Sequence, residues 1–361
     1  MATKRTTSAA KKKSGDLQRV GRVRMSDIAR LVGVSRPVVS RVLTGAGLGH
    51  VRVSAKTAAK IRREAKRLNF HPNHAARQLA GKRSGVVGTL AKTWFRQTES
   101  RLLGWLNQLA SCRGFKILAW QMDAHPNALE ESVDECLAWD IEGLIFMAFK
   151  YDTVWPEVAK ALVRLPRVVS ILGNPGIPGG YAVEVDAADG VRQSVERLHR
   201  QGRRKIVQVL EGLDAQIDRQ RHDAFLAAHR EFYGEVRKDQ VCFATRGWAV
   251  DDYDKHLELC KELVRDRKAD AVLLESDFCA PGMVRGFTRL GCRIPDDVAL
   301  VGWGNEALGW GVIPPLTTVD FNFSEIVGKA LDLLNDLIEK PGAEHPRSVL
   351  VKPNLIVRET A

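Results

Sequence analysis

Five side chains near the start of the chain have the chemistry needed to contact DNA bases: Arg36, Pro37, Val38, Ser40 and Arg41. They fall on one face of a short predicted helix, whereas the apolar residues at 39, 42 and 43 fall on the opposite face. An exposed Arg- and Ser-rich N-terminal half above a buried apolar face is what insertion into a DNA major groove requires. The pattern therefore indicates a DNA-reading helix, and an ordinary helical hairpin with a basic surface is the alternative.

The preceding residues predict the elements that would position this face. Apolar side chains at 28, 29, 31 and 32 recur at helical spacing, and Gly33 suits a tight turn with a positive φ angle. Ser35 is placed to cap the second helix, and Pro37 lies in its first turn, where a missing N–H costs nothing. Residues 25–43 are thus expected to form two short helices joined by a turn.

Two further helices are expected before residue 85. One runs from Ser54 to Asn69, with an apolar stripe at 61, 65 and 68. The other is a short alanine-rich helix over 74–80 that follows the break at Pro72 and Asn73 and stops at Gly81. This helix is too short to be stable alone.

Positive charge is concentrated in the N-terminal part of the chain. Residues 1–84 contain 21 Lys and Arg against 3 Asp and Glu, whereas the remainder contains 34 against 40. Such a field attracts polyanions, and the release of counterions from DNA provides sequence-independent affinity. A membrane surface is disfavoured, because these helices lack the bulky aromatic face of an interfacial anchor. Residues 1–21 are expected to be a disordered basic arm.

From Gly85 onward, short apolar strands alternate with amphipathic helices. Strands are predicted at 86–90, 115–120, 143–149, 167–172, 205–210, 241–244, 271–275 and 298–302, with a last apolar strand near the C-terminus. Helices are predicted near 99–112, 127–139, 153–164, 188–201, 217–232, 251–266, 281–290 and 323–339. This alternation implies right-handed crossovers and parallel sheets covered on both faces. So many strands favour two doubly wound lobes, with ligand bound beyond the carboxyl ends of the strands.

Several other classes of protein are disfavoured. The six cysteines are scattered without a C-x-x-C pair, which argues against a zinc site or a disulfide framework and for a reducing cytoplasm. Residues 143–149, the longest apolar stretch, are too few to span a bilayer. There is no P-loop, metal-ligand spacing, Gly-x-Ser-x-Gly or dinucleotide motif, so we expect neither an enzyme nor a cofactor. A solute-binding protein of a transporter would require a secretion signal and no basic head.

The chain resembles the LacI/GalR family of bacterial transcription regulators from about residue 22 to its C-terminus. The resemblance rests on residues 27–29, 33–35, 39–43, 53–57, 68–73 and 75–82, and in the body on 301–303 and 313–319. It implies a small all-α helix-turn-helix DNA-binding head and an α/β two-lobed, periplasmic-binding-protein-like body with two doubly wound parallel sheets. The implied boundaries are a basic arm at 1–21, the head at 22–71, a hinge helix or linker at 72–84, and an effector-binding and dimerisation body at 85–361.

The resemblance implies DNA contacts residue by residue. Arg36, Pro37 and Arg41 match base-reading positions; an Arg at 41 can donate two bonds to guanine, worth roughly 1–3 kcal/mol of discrimination. Pro37 departs from the usual polar residue and can read only shape or a thymine methyl group. Leu79 matches a minor-groove wedge that kinks DNA, and packing of Leu79 on the body is the alternative. The other expected contacts are Ser35, Ser54, Thr57 and Asn73 on phosphates, together with Val38, Ser40, Ala76 and Lys82. The glycine-rich loop at 44–53 is longer than the family's usual loop, and we expect it to lie over the DNA backbone.

The resemblance also places candidate effector-binding residues between the lobes. Arg221 matches an Arg that binds sugar hydroxyls or a carboxylate, with a surface salt bridge as the alternative. The other candidates are Trp94 and Trp248 as aromatic surfaces, Ser276 and Asp277 at a strand end, and Asn305 as a partial substitute for a lost carboxylate. A core role is the alternative for Trp94. The chain departs from the family pattern at Gly304 and Gly173, because many sugar-binding members have an acidic residue at each of these positions.

Together these features predict a cytoplasmic, nucleoid-associated, sequence-specific transcription regulator, and a repressor rather than an activator. We expect a homodimer that reads a pseudo-palindromic operator in double-stranded DNA. A small-molecule effector, expected to be a sugar or sugar derivative, would bind between the lobes and change DNA affinity. A ligand-independent DNA-binding regulator is the alternative, since Gly173 and Gly304 remove two carboxylates.

Overall fold

The computed structural model describes residues 23–44, 53–70, 83–92, 97–122, 125, 127–148, 155–235, 240–243 and 253–361. The chain divides into two compact units, residues 1–84 and 85–361. The first unit contains the head, and the second is the body.

Three helices form the head: α1 (Met25–Val32), α2 (Arg36–Thr44) and α3 (Ala55–Arg67). Each helix contributes one fully buried side chain to a shared core, namely Ile28, Val39 and Ile61. Leu31 differs from the expectation, since 51% of its surface is exposed on the opposite side of α1. The core of the head therefore depends on one apolar face per helix, as the spacing of the sequence predicts.

Local residues determine where the head helices begin and end. Gly33 ends α1 at a φ of +79°, and its N–H donates to the carbonyl of Ala29 at 3.0 Å. The hydroxyl of Ser54 accepts a bond from the N–H of Thr57 at 3.1 Å, which caps α3. Asn69 follows the end of α3 at a φ of +48°. These ends confirm the predicted turn and the predicted third helix.

The body contains two six-stranded sheets, one in each lobe. The first lobe has the strand order β11-β5-β4-β3-β1-β2 and the second has β12-β10-β9-β8-β6-β7. The strands of the first lobe are β1 (Val86–Ala91), β2 (Lys116–Gln121), β3 (Gly143–Met147), β4 (Val168–Ile171), β5 (Tyr181–Val185) and β11 (Ser348–Val351). Those of the second lobe are β6 (Ile206–Leu210), β7 (Val241–Phe243), β8 (Ala271–Leu273), β9 (Ala299–Trp303), β10 (Thr317–Asp320) and β12 (Asn354–Ile356). All pairings are parallel except that of β10 with β12.

Helices connect and cover both sheets. They are α4 (Gln97–Cys112), α5 (Ala128–Ala138), α6 (Trp155–Leu162), α7 (Ala187–Arg200), α8 (Gln216–Tyr233), α9 (Tyr253–Lys261), α10 (Ala280–Arg289), α11 (Ala307–Gly311) and α12 (Phe323–Glu339). The chain passes between the lobes after β5, after β10 and after β11. Among the described residues, no helix has both the length and the apolar character needed to cross a membrane. The architecture confirms the two predicted doubly wound lobes.

Three strands, β5, β10 and β11, are absent from the predicted set. β10 was missed because it contains two threonines, although Thr317 and Thr318 are fully buried. The hydroxyl of Thr317 donates to the carbonyl of Ala361 at 3.1 Å, and that of Thr318 donates to Asp277 at 2.7 Å. Burial of these polar side chains is possible because tertiary partners satisfy them, and a search for apolar runs does not detect such partners.

A buried histidine makes the body sensitive to pH. His229 on α8 stacks on Tyr233 with ring centroids 4.5 Å apart, and its Nδ1 donates to the carbonyl of Glu235 at 2.7 Å. Its Nε2 then accepts from the amide of Gln240. Burial lowers the pKa of His229 below its usual value of 6.5. Folding therefore favours the neutral ring.

We expect this neutral ring to contribute stability above pH 6.5 that is lost as the pH falls below this value. The unfolded chain binds the proton more readily than the folded chain, so acid lowers the free energy of unfolding. Urea unfolding of His229→Gln from neutral pH down to about pH 5 should show a smaller loss than the wild type. His125→Gln is the control, because His125 is exposed beside Glu131. An equal loss in the wild type and His229→Gln would contradict the assignment.

Candidate nucleic-acid interface and effector cleft

The outward side of α2 carries most of the predicted DNA-reading residues. Arg36 and Pro37 are exposed, and Ser40 and Arg41 are half-buried. Val38 is also half-buried and packs against the core of the head, so it offers less surface to a base than the sequence suggested. The described part of the head contains only two acidic residues, Asp27 and Glu64. A cationic helix end of this kind suits the phosphates and base edges of a major groove.

The ends of α2 and α3 place the predicted phosphate-contacting residues. Ser35 and Ser54 are exposed immediately before α2 and α3, and Thr57 lies in the first turn of α3. The hydroxyls of Ser54 and Thr57 are 2.9 Å apart. The backbone carbonyl of Ser35 accepts from the N–H groups of Val38 and Val39 at 3.1 and 3.3 Å. Helix N-termini with exposed hydroxyls are suitable phosphate ligands.

Six predicted site residues lie outside the described residues. They are Asn73, Ala76, Leu79 and Lys82 of the linker, and Trp94 and Trp248 of the body. Their roles stay predictions, and so does that of the glycine-rich loop after α2.

Arg221 is held deep in the second lobe at the carboxyl end of β8. Only 3% of its surface is exposed, and its two terminal nitrogens donate to the carbonyls of Glu275 and Leu274 at 2.9 and 3.0 Å. The guanidinium lies 4.2 Å from the ring centroid of Trp303. Burial lowers the pKa of Arg221, and the carboxylate of Asp218, at 3.7 Å, partly opposes this shift. Arg221 is therefore a desolvated cation and not part of a surface salt bridge.

Arg221 and Trp303 each retain one unused hydrogen-bond donor. Nε of Arg221 and Nε1 of Trp303 are both buried without an acceptor among the residues that the structure describes. Buried donors without acceptors are uncommon in folded proteins. Nε of Arg221 and Nε1 of Trp303 are thus two polar atoms of this stack that the described residues leave unused.

Asp277 stabilises a loop instead of facing the cleft, which corrects its predicted role. The side chain is fully buried, with one oxygen accepting from the hydroxyl of Thr318 at 2.7 Å and the other from the N–H of Glu306 at 2.8 Å. Burial raises the pKa of Asp277 to about 6, against the lowering effect of these bonds. The carboxylate thus joins the turn after β8 to β10 and to the loop after β9.

Ser276 and Asn305 are also engaged by the protein itself. The hydroxyl of Ser276 accepts from the N–H of Phe278 at 3.1 Å. The amide of Asn305 donates to Asp320 at 3.1 Å, and its oxygen accepts from Arg358. Both ends of the Asn305 amide are therefore occupied, so it does not replace the missing carboxylate as the sequence suggested.

The two lobes bond to each other through a group that we call the interlobe clamp. It consists of Gln97, Thr98 and Arg101 on α4 of the first lobe and residues 304–307 of the second lobe. The hydroxyl of Thr98 donates to Glu306 at 2.9 Å, and the N–H of Ala307 donates to Gln97 at 3.1 Å. Arg101 donates to the carbonyls of residues 304 and 305, both at 2.9 Å. Spacing along the chain does not predict this clamp, because its partners are about two hundred positions apart.

Glu306 supplies a carboxylate close to where Gly304 lacks one. The side chain is only 7% exposed, and its Cγ lies 3.2 Å from the point that a Cβ at position 304 would occupy. Gly304 also has a φ of +125°, which other residues rarely adopt. The acidic group is therefore displaced by two positions, and it bonds to the opposite lobe. The sequence contains a signal for this displacement, because Glu306 is an acidic residue only two positions after Gly304.

A second polar contact joins the lobes elsewhere. The side-chain oxygen of Gln216, at the start of α8, accepts from the N–H of Asn174 at 3.3 Å, and its amide donates to Glu184 at 3.4 Å. Glu184 also accepts from the hydroxyl of Ser348 at 2.8 Å. Among the described residues, side chains thus bridge the two lobes here as well as at the interlobe clamp.

Comparison with known proteins agrees with this division of the chain. Residues 24–73 match the family model described as bacterial regulatory proteins, lacI family, and residues 195–361 match a periplasmic binding protein-like domain. The chain thus combines a LacI-family helix-turn-helix domain with a periplasmic binding protein-like domain. The LacI-family match covers all three head helices, and the second match covers most of the second lobe.

Relatives of this chain span nearly its whole length. It is 28% identical to the HTH-type transcriptional regulator CelR of Thermobifida fusca, over 95% of this chain and 100% of that protein. It is 26% identical to the lactose operon repressor of Escherichia coli (strain K12), over 94% of this chain and 90% of that protein. These relatives are regulators of transcription and not enzymes, and the chain is a DNA-binding transcriptional regulator.

Solved structures show the same fold. The lac repressor dimer bound to operator and the anti-inducer ONPF matches with a TM-score of 0.78 at 24% identity, covering 94% of this chain and 99% of that chain. A CelR–cellobiose complex matches with a TM-score of 0.65 at 23% identity, covering 94% of this chain and 100% of that chain.

Proposed function

We propose that the protein is a homodimeric repressor that reads a pseudo-palindromic operator and is controlled by an oxygen-rich small molecule bound between the lobes. The observation that carries the proposal is the pair of unused buried donors on Arg221 and Trp303. They lie at the carboxyl ends of β8 and β9, where ligands bind in doubly wound sheets. The printed descriptions of relatives, a lactose operon repressor and a cellobiose complex, support a carbohydrate effector.

An exposed apolar surface on the second lobe supports the homodimer. Ile313 is 87% exposed, Trp310 is 62% exposed and Phe278 is 43% exposed. Glu306 immediately precedes α11, and Gly309 lies within it. Both are close to Asp277, so α11 packs against the turn that carries Phe278. Large exposed apolar side chains gathered in this way mark association surfaces. Two copies related by a two-fold axis would place two heads on two half-sites.

The available donors favour an effector with acceptor oxygens, such as a sugar or a sugar acid. Arg221 is a cation that can pair with a carboxylate, and the face of Trp303 is already stacked with it. Glu306 is the nearest acidic group to the position of Gly304, and it is bonded to Thr98. An effector that displaces Thr98 from Glu306 would change the contact between the lobes and hence the relative stability of two states.

The proposal is tested by fluorescence anisotropy of the full-length protein with duplexes from upstream of its own and neighbouring genes, repeated with a panel of sugars and sugar acids. We expect binding at near-physiological salt that one class of compound weakens. Arg41→Ala should weaken binding to the preferred duplex by about 1–3 kcal/mol, or roughly five- to 150-fold, and relax its specificity. Arg30→Ala is the control, since Arg30 is exposed on α1.

Arg221→Lys tests the response to the effector separately from operator binding in the same experiment. Lysine keeps the charge but loses the planar donors, so we expect operator binding to persist while the compound no longer weakens it. Only salt-sensitive binding without sequence preference would overturn the repressor assignment. Binding that is sequence-specific but unaffected by every compound would overturn effector control.

A second candidate function is a DNA-binding regulator without an effector, and the interlobe clamp favours it. Gln97, Thr98 and Arg101 already make bonds between the lobes that a bound ligand would otherwise mediate. In this case the chain would be held in one arrangement of the lobes. Either candidate would act in the cytoplasm, in association with the nucleoid.

A further inference from the structure

The outward face of α3 carries a continuous row of cations, which we call the α3 stripe. It consists of Lys56, Lys60, Arg63 and Arg67, spaced by four, three and four residues, and all four are exposed. This spacing keeps them on one face of a helix. The row extends over about 16 Å, since each residue adds 1.5 Å. Ile61 and Ala65, which are buried in the core of the head, lie on the other face of α3.

Little acidic charge opposes the α3 stripe. Glu64 is the one acidic residue of α3, and it pairs with Arg67 at 2.7 Å and with Arg63 at 3.8 Å. Lys60 donates to the carbonyl of Val32 at 3.3 Å, which keeps its positive charge. Arg62 and Lys66 add two further exposed cations beside the stripe. The helix thus carries six basic residues against one acidic residue.

The α3 stripe points away from the surface that reads operator bases. The three head helices pack around one core, so the outward faces of α2 and α3 point in different directions. Lys56 lies beside the phosphate-facing hydroxyls of Ser54 and Thr57, and the stripe leads away from them toward Arg67. We therefore expect a straight duplex in contact with α2 to leave most of the stripe uncovered.

We propose that the α3 stripe binds the phosphate backbone of a second segment of duplex DNA while α2 occupies the first. The occupant must be an extended polyanion, because the cations of the stripe are regularly spaced and exposed. Duplex DNA carries one negative charge per about 1.7 Å of its axis, which matches a row of this length better than a small anion does. This inference rests on the DNA-binding head of the proposed function, but it concerns a different face of it.

The test uses the full-length protein and mixed-sequence duplexes of about 40 base pairs, or roughly four helical turns. The stripe variant is K56Q/K60Q/R63Q/R67Q. The control, R24Q/R30Q/R62Q/K66Q, removes the same charge from exposed positions of the head outside the stripe. Circular dichroism establishes that both variants fold, and Arg41-dependent preference for one duplex establishes that α2 still functions.

Two readouts decide the proposal. The first readout is the slope of log K for DNA binding against log salt concentration, measured in the R36Q/R41Q background. The magnitude of this slope should fall by about 0.9 for each lost phosphate contact, or by about 3 to 4 for the stripe variant. With the preferred duplex occupying both heads of the homodimer and carrying the donor, energy transfer to an acceptor-labelled mixed-sequence duplex should occur with the wild type and the control but not with the stripe variant. Equal slopes for stripe variant and control would overturn the proposal, as would energy transfer that the stripe variant retains. If the slope changes but the wild type shows no energy transfer, the stripe contacts phosphates without holding a second DNA segment, and the proposal is overturned.

Discussion

Gly302→Ala should lower the free energy of unfolding of the body by about 3 kcal/mol, a typical upper value for overpacking. A Cβ at this position would clash with Oδ1 of Asp277 and with Cδ2 of Leu316. Asp277 cannot move easily, because its two oxygens hold Thr318 and the N–H of Glu306. The substitution should therefore also displace residues 304–307, the part of the interlobe clamp that follows β9. Urea unfolding followed by circular dichroism measures the loss.

Gly328→Ala is the matched control for this prediction. Gly328 lies within α12, and a Cβ there would meet nothing within 4 Å. Alanine is the better helix former, so we expect a gain of about 0.5–1 kcal/mol. If Gly302→Ala were as stable as the wild type, the tight packing of Asp277 against β9 would be incorrect.

Thr98→Val should loosen the contact between the lobes by about 1.5–3 kcal/mol, the contribution of a hydrogen bond to a charged group. The substitution leaves the shape of the side chain but removes the donor to Glu306, a residue that is only 7% exposed. A buried carboxylate that loses its partner is costly. Exchange of the amide protons of residues 304–309 should become about ten- to 150-fold faster as the lobes separate more often.

Thr288→Val controls for the loss of a threonine hydroxyl. Thr288 lies in α10, and its hydroxyl donates to the carbonyl of Val284 within the same helix at 2.8 Å. We therefore expect unchanged amide exchange at 304–309 in this variant. Unchanged exchange in Thr98→Val as well would show that the clamp does not hold the lobes together.

The head is the part of the molecule that its sequence predicts best, because its determinants are local. The turn at Gly33, the cap at Ser54 and the apolar faces of three short helices all depend on residues within one or two turns. Val38 is the exception, since its partial burial depends on how α2 packs against the other helices. The alternation of strands and helices in the body was likewise visible, since buried parallel strands are apolar throughout.

The residues of the cleft were predicted less well, because their type did not reveal their partners. Asp277 was expected to offer polar atoms to a ligand from a strand end, and Asn305 was expected to replace a lost carboxylate in part. Both instead bond to their own lobe, to Thr318 and Asp320 respectively among others. A polar residue at a strand end can face a ligand or support a loop, and only the surrounding atoms distinguish the two.

The sequence by itself determined the helix-turn-helix, the basic N-terminal unit and the two-lobed class of the body, because local periodicity and composition are sufficient for each. Only the tertiary structure decided that Arg221 is stacked on Trp303, that Glu306 lies beside Gly304 and that Thr98 bonds across the lobes. Thr98 and Glu306 are 208 positions apart. Such a contact depends on the packing of two separate sheets, and no spacing along the chain specifies it.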